Sequence, residues 1–132
     1  MVIKVNNLAF IFPGQGAQYI GMGKDFYDNF TEARHVYEEA NDALSMDLDK
    51  LIFHGNEEEL MKTENTQPAI LATSIAMLRC LEKEGIKAEY TAGLSLGEYS
   101  SIVLAEGIDF CDTIKIVRER GRFMQDAVPL GV

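Results

Sequence analysis

The chain has 132 residues, 47% hydrophobic and 25% charged, which suits a single globular domain and excludes a disordered, collagenous or coiled-coil chain. Its net charge of -9 argues against nucleic acid as a partner, because gripping a phosphate backbone takes clustered cations, whereas a small anionic substrate needs only local positive charge. No apolar run is long enough to span a membrane, and Met1 to Asn7 lacks the apolar stretch of a secretory signal.

In chain order, the apolar run Leu8-Ala9-Phe10-Ile11-Phe12 stops at Pro13-Gly14 and reads as a buried strand. Gly14-Gln15-Gly16-Ala17-Gln18 follows as a loop whose glycines permit close backbone approach. Met22 to Phe30 reads as a short helix, and Thr31 as the cap of a second that runs to about Leu44, with Ala33, Val36, Tyr37, Ala40 and Leu44 on one face. Leu48, Leu51 and Ile52 form a short packed segment. His54-Gly55-Asn56 is a turn, and Glu57 to Met61 a brief acidic helical turn. Gln67 to Glu84 is the strongest helix, with Thr66 as its cap, Pro68 in its first turn and Gly85 as its stop. Its apolar stripe is Ile70, Leu71, Ser74, Met77, Leu78 and Leu81. Ala88 to Gly93 reads as a second strand and Leu96 to Ala105 as a helix that halts near Gly107. Asp109 opens the last helix, with Asp112 three residues on. It runs to about Ala127, and Pro129 and Gly131 end the pattern.

Strands that alternate with helices imply an α/β fold with a mainly parallel sheet. Only two strands are legible, too few for a parallel sheet covered on both faces, so the sheet is expected to be incomplete. Cys80 and Cys111 are too few for a disulfide framework or a zinc site and fit a reducing cytoplasm. No metal site is expected. His35 and His54 read as ordinary surface histidines.

Gly93-Leu94-Ser95-Leu96-Gly97 fits the G-x-S-x-G nucleophile elbow. A strand that turns sharply into a helix thrusts its serine out at the strand's carboxyl end. Glycines two residues either side remove side chains that would clash, and the helix aims its N-terminal N–H groups at the same point. The bare pattern arises by chance in roughly 4% of chains this long, so its strength lies in its context between a strand and a helix. Arg120 sits among Lys115, Arg118, Glu119 and Arg122, and by pattern alone it reads as part of a solvated helix face.

Four segments resemble the malonyl-CoA:acyl carrier protein transacylases, in that family's order and spacing and across essentially the whole chain. Pro13-Gly14-Gln15-Gly16-Ala17-Gln18 is similar to the P-G-Q-G-x-Q loop, and Gly93 to Tyr99 to the G-H-S-x-G-E-Y serine segment. Thr66-Gln67-Pro68-Ala69 matches T-Q-P-A, and Arg120-Gly121-Arg122-Phe123-Met124-Gln125 matches R-G-x-x-M-Q.

The resemblance implies a three-layer α/β/α hydrolase-like acyltransferase core. Residues 1–132 would be the N-terminal portion of its large subdomain, with the parallel sheet incomplete and the ferredoxin-like small subdomain absent. It implies Ser95 as the nucleophile that takes malonyl from coenzyme A, and the backbone N–H groups of Gln15 and Leu96 as the oxyanion hole. Arg120 would be the fork that binds the malonyl carboxylate. Malonyl-CoA and acyl carrier protein are the implied partners. The coenzyme A thioester acts as substrate, no cofactor is permanently bound, and the location is cytoplasmic. Leu96 looks more like the malonyl-using members than the methylmalonyl-using ones, which often have glutamine there.

Two departures matter. The family's general base is a histidine after the serine, and no histidine follows Ser95 in this sequence; the chain alone is therefore expected to turn over little. Leu94 stands where the family usually has histidine. Two rival functions remain at this level. One is a patatin-like or α/β-hydrolase serine esterase, which would share the elbow but has no need of Arg120. The other is a non-catalytic fragment or acyl carrier protein docking module, for which Lys115, Arg118 and Arg122 would supply a basic patch.

Overall fold

The computed structural model describes residues 7–128, so the readings of residues 1–6 and of Pro129 and Gly131 lie outside it. In chain order the elements are β1 (Ala9–Phe12), α1 (Lys24–Asn29), α2 (Thr31–Leu44), α3 (Leu48–His54), α4 (Glu57–Met61), α5 (Thr63–Lys83), β2 (Tyr90–Gly93), α6 (Gly97–Leu104) and α7 (Phe110–Ala127). The two strands pair in parallel, from Ala9 opposite Tyr90 to Phe12 opposite Gly93. A parallel pair needs a crossover, and α1 to α5 form it. This register brings the loops that leave Phe12 and Gly93 to one edge, at the carboxyl ends of both strands.

The α/β reading holds, and among the described residues the sheet is small, as expected. Burial of the strands is less complete than the apolar run suggested. Ala9 and Ile11 are exposed, Ile11 by 78%, while Phe10 is half-buried and Phe12 buried. Successive strand residues face opposite sides. The described helices cover the side of Phe10 and Phe12 and leave the other open.

The core is centred on α5, which packs against α2, α4, α6 and α7. Its residues from Asn65 to Thr73 are all buried, so it is wrapped on every side at this end rather than along one stripe. Ser74, Met77 and Leu81, placed in the stripe by periodicity, are only half-buried. With Phe10, Phe12 and Ile70 they line an apolar groove between α5 and β1.

Helix starts were the least legible features. Thr31 is the first residue of α2 rather than its cap, and its hydroxyl accepts a bond from Arg34 Nη2 at 3.1 Å. α5 begins at Thr63, a full turn before the expected Thr66, because its first N–H donates to Gln125 Oε1 of α7 at 3.0 Å. A cap supplied across the fold leaves no local signal. Thr66 instead donates back to Leu60 O, and Pro68 falls inside the helix rather than in its first turn. The C-terminal stop is as read: Gly85 has a φ of 76°, and the N–H groups of Gly85 and Ile86 close onto Glu82 O and Leu81 O. Asp109 caps α7 through Asp112 N at 2.9 Å, also as read.

The α5–α7 contact depends on a glycine. A Cβ at Gly121 would lie 2.6 Å from Thr63 O and 2.8 Å from Glu64 Cα. Gly121→Ala is expected to cost about 1–3 kcal/mol, read as a lowered denaturation midpoint in urea.

Tyr37 is fully buried, edge-on to Tyr27 and Phe53, and its hydroxyl donates to Thr73 Oγ1 at 2.9 Å. Burial disfavours the phenolate and pushes its pKa up to about 12. The folded value lies above the unfolded one, so this contribution to stability is complete below about pH 10 and is lost as pH rises towards 12. Tyr37→Phe should remove that alkaline loss from denaturation curves measured across the same range, while it lowers stability near neutrality through loss of the hydroxyl contact.

Candidate active site

β2 ends at Gly93 and α6 begins at Gly97, so Leu94, Ser95 and Leu96 turn the chain from strand to helix. The turn is held by backbone bonds. Leu94 N–H donates to Phe12 O at 3.2 Å, and Gly97 N–H to Leu94 O at 2.9 Å. Ser95 itself has a φ of 51°, in the left-handed region that costs a non-glycine residue about 1–2 kcal/mol. That conformation stands the exposed serine at the tip of the turn, as the elbow requires.

The glycines are there because the backbones touch. A Cβ on Gly93 would come within 1.9 Å of Gly97 C, and one on Gly97 within 2.2 Å of Phe12 O. Gly14 backs onto the same turn, where a Cβ would meet Leu94 O at 2.5 Å and Ser95 Cβ at 3.6 Å. The loop after β1 is thereby pressed against the serine. Among the described residues, the N–H groups of Gln15 and Leu96 donate to no acceptor. Leu96's side chain is fully buried in the core, so only its backbone can face a ligand.

Arg120 arrives from the middle of α7. Its Nη2 lies 3.2 Å from Ser95 Oγ, its Nη1 donates to Gln67 Oε1 at 2.8 Å, and its guanidinium sits 5.5 Å from the centre of the Tyr99 ring. Gln67 is 1% exposed. Its Nε2 reaches Met124 Sδ at 3.2 Å and, at 3.5 Å, Gln15 Oε1. Ser95, Gln15 and Arg120, far apart in sequence, thus converge. The sequence reading did not single out Gln67, Tyr99 or Met124. The available signal was a glutamine near the start of the long helix with an apolar stripe, where an amide must find buried partners.

The remaining candidates fall elsewhere. His35 lies with Glu32, Glu39 and Arg79 at a hollow between α2 and α5, and His54 ends α3 with its ring 6.5 Å from that of Phe53. Leu94 is 75% exposed and contributes an apolar surface beside Ser95. Arg118 is half-buried against Met46, and Arg122 is tied to Glu64 and Glu119. Burial pushes the thiols of Cys80 and Cys111 above their ordinary pKa, the behaviour of inert cysteines. Among the described residues no group of His, Cys, Asp and Glu is placed to hold a metal, and no helix is long and apolar enough to cross a membrane.

Residues 9–131 match the acyl transferase domain. The chain belongs to this family. It is 49% identical over 127 residues to the malonyl CoA-acyl carrier protein transacylase of Bacillus subtilis, covering 96% of this chain and 40% of that protein. The crystal structure of the transacylase of that name from Clostridium perfringens superposes with a TM-score of 0.91 at 49% identity, covering 96% of this chain and 40% of that one. A malonyl transacylase in complex with a type II PKS acyl carrier protein superposes with a TM-score of 0.88 at 47% identity, covering 92% of this chain and 40% of that one. The acyl transferase chain described here thus spans about two-fifths of the length of these relatives.

Because the corner at Ser95 is built from touching backbones, Gly93→Ala should cost about 3 kcal/mol or more, while Ala92→Ser, at the exposed neighbouring position, should stay within about 0.5 kcal/mol. Chemical denaturation of the two variants would separate them.

Proposed function

We propose that this chain is the serine-bearing N-terminal portion of the large subdomain of a malonyl-CoA:acyl carrier protein transacylase of fatty acid biosynthesis. It would form part of a three-layer α/β/α hydrolase-like core. The observation that carries the reading is the contact between Arg120 Nη2 and Ser95 Oγ at 3.2 Å, which sets a carboxylate-binding fork beside a serine on a strained turn. A serine esterase needs the turn but has no use for the fork.

In the proposed reaction Ser95 Oγ attacks the thioester carbonyl carbon of malonyl-CoA. Its proton passes to a general base, the C–S bond breaks, and coenzyme A leaves as the thiol once that proton is returned. The malonyl ester on Ser95 is then attacked by the pantetheine thiol of acyl carrier protein, and the serine hydroxyl is restored. The developing oxyanion is held by the N–H groups of Gln15 and Leu96, at the N-terminus of α6, where one such donor contributes roughly 3–4 kcal/mol. Arg120 binds the free carboxylate of malonyl, which an acetyl group lacks. No cofactor is retained, and a cytoplasmic location fits this chemistry.

The general base must come from outside this sequence, since no histidine follows Ser95. The open face of the sheet and the apolar groove between α5 and β1 suit the packing of further acyltransferase chain. The absence of that histidine also favours a second reading for the chain by itself, a non-catalytic fragment or a docking module for acyl carrier protein.

A complementation assay tests both. Residues 1–132 are mixed with the segment of the Bacillus subtilis relative that follows its aligned region, and malonyl transfer from malonyl-CoA to acyl carrier protein is followed. Turnover should require both pieces and fall by at least about 10⁴-fold in Ser95→Ala. Full turnover by residues 1–132 alone would refute the missing base, and transfer that survives Ser95→Ala would refute the nucleophile.

A further inference from the structure

Resting on the reading of Arg120 as the carboxylate-binding group, we infer that Gln67 is a positioning residue for malonyl selectivity: a neutral buried acceptor that aims the Arg120 fork without neutralising its charge. An arginine can be fixed in place most strongly by a carboxylate, but a carboxylate partner competes with an anionic substrate for the same donors. This chain has carboxylates close at hand and does not use them. Glu119 precedes Arg120 in the sequence, and Glu64 lies one turn before Gln67 on α5. Both are engaged by Arg122, at 2.5 Å and 3.3 Å. Among the described residues Arg120 has no ion pair at all.

What holds Arg120 instead is uncharged. Gln67 Oε1 accepts from Nη1 at 2.8 Å, and the Tyr99 ring lies 5.5 Å from the guanidinium carbon. The amide is oriented by its other end. Gln67 Nε2 faces only acceptors, Met124 Sδ at 3.2 Å and Gln15 Oε1 at 3.5 Å, so the oxygen is the end turned to the arginine. At 1% exposure this amide has no water to fall back on, and its partners fix it. The same side chain therefore ties the fork to the Gln15 loop. The other donors of the fork are left without a competing carboxylate and are open to one at Ser95.

The consequence is that a negative charge at position 67 should damage recognition of an acidic acyl group far more than of a neutral one. The test uses residues 1–132 in a Ser95→Ala background, mixed with the same following segment of the Bacillus subtilis relative so that the site is complete and binding is read without acyl transfer, and measures dissociation constants for malonyl-CoA and acetyl-CoA by calorimetry. The parent should prefer malonyl-CoA. Gln67→Glu should weaken malonyl-CoA by about tenfold or more, the cost of one charge-assisted bond, and leave acetyl-CoA within about twofold. A defect that merely loosens the fold would weaken both ligands alike. If the parent's preference survives in Gln67→Glu, the inference is overturned and the reading of Arg120 stands. If the parent shows no preference, the reading of Arg120 falls and the inference with it. Should Gln67→Glu lose the parent's circular dichroism and melting transition, Gln67→Met carries the test. A selective loss of malonyl-CoA affinity then supports the positioning role, and unchanged affinity for both ligands overturns it.

Discussion

The site is held together by backbone pressed against backbone at the carboxyl edge of a two-stranded parallel pair. Gly93 meets Gly97, Gly97 meets the end of β1, and Gly14 meets the carbonyl of Leu94, each closer than any side chain would allow. These contacts force the strand into the helix over three residues and drive Ser95 into a left-handed conformation. They also bring the loop after β1 against the same corner. The exposed Ser95, the unpaired N–H groups of Gln15 and Leu96 and the N-terminus of α6 are therefore brought together by one packing constraint rather than separately placed.

The second support is α5. A helix buried all round at its start is a poor place for polar side chains, yet Asn65, Thr66, Gln67 and Thr73 are all there. Each has a partner from another segment or an earlier turn: Asn65 reaches Glu59 O, Thr66 reaches Leu60 O, Thr73 accepts from Tyr37, and Gln67 joins Arg120. A buried polar group left without a partner costs about 1–3 kcal/mol, so these bonds lock α5 to α2, α4 and α7. The contact between α5 and α7 then determines where Arg120 falls relative to Ser95. Gly121 and Gln125, which fit α7 to the start of α5, lie one and five residues beyond that arginine on the same helix.

Acidity and function are reconciled by distribution. The chain is strongly acidic overall, yet its site has a guanidinium with no carboxylate on it, because Arg122 engages the nearby acids. Net charge speaks to solubility and to long-range encounters; it says little about one half-buried guanidinium group.

The elements that could be read from sequence are those with local causes. The corner that carries Ser95 was legible because strand, glycine spacing and helix follow one another within a dozen residues. The end of α5 at Gly85 and the start of α7 at Asp109 were legible because their caps are local. The start of α5 was not, because Gln125, sixty-two residues away, caps it. Half-burial of the strands was not legible either, since an apolar run reports what a strand would bury and not what is present to cover it. Sequence alone determined that Ser95 sits on a tight strand-to-helix turn and that the segments carrying Gln15 and Arg120 belong with it. Only the tertiary structure decided that Arg120 reaches Ser95, that Gln67 lies between Arg120 and Gln15, and that Leu96 turns its side chain into the core. The reason is that a bond between residues far apart in the chain leaves its mark in the packing of helices, and no periodicity or cap carries that distance.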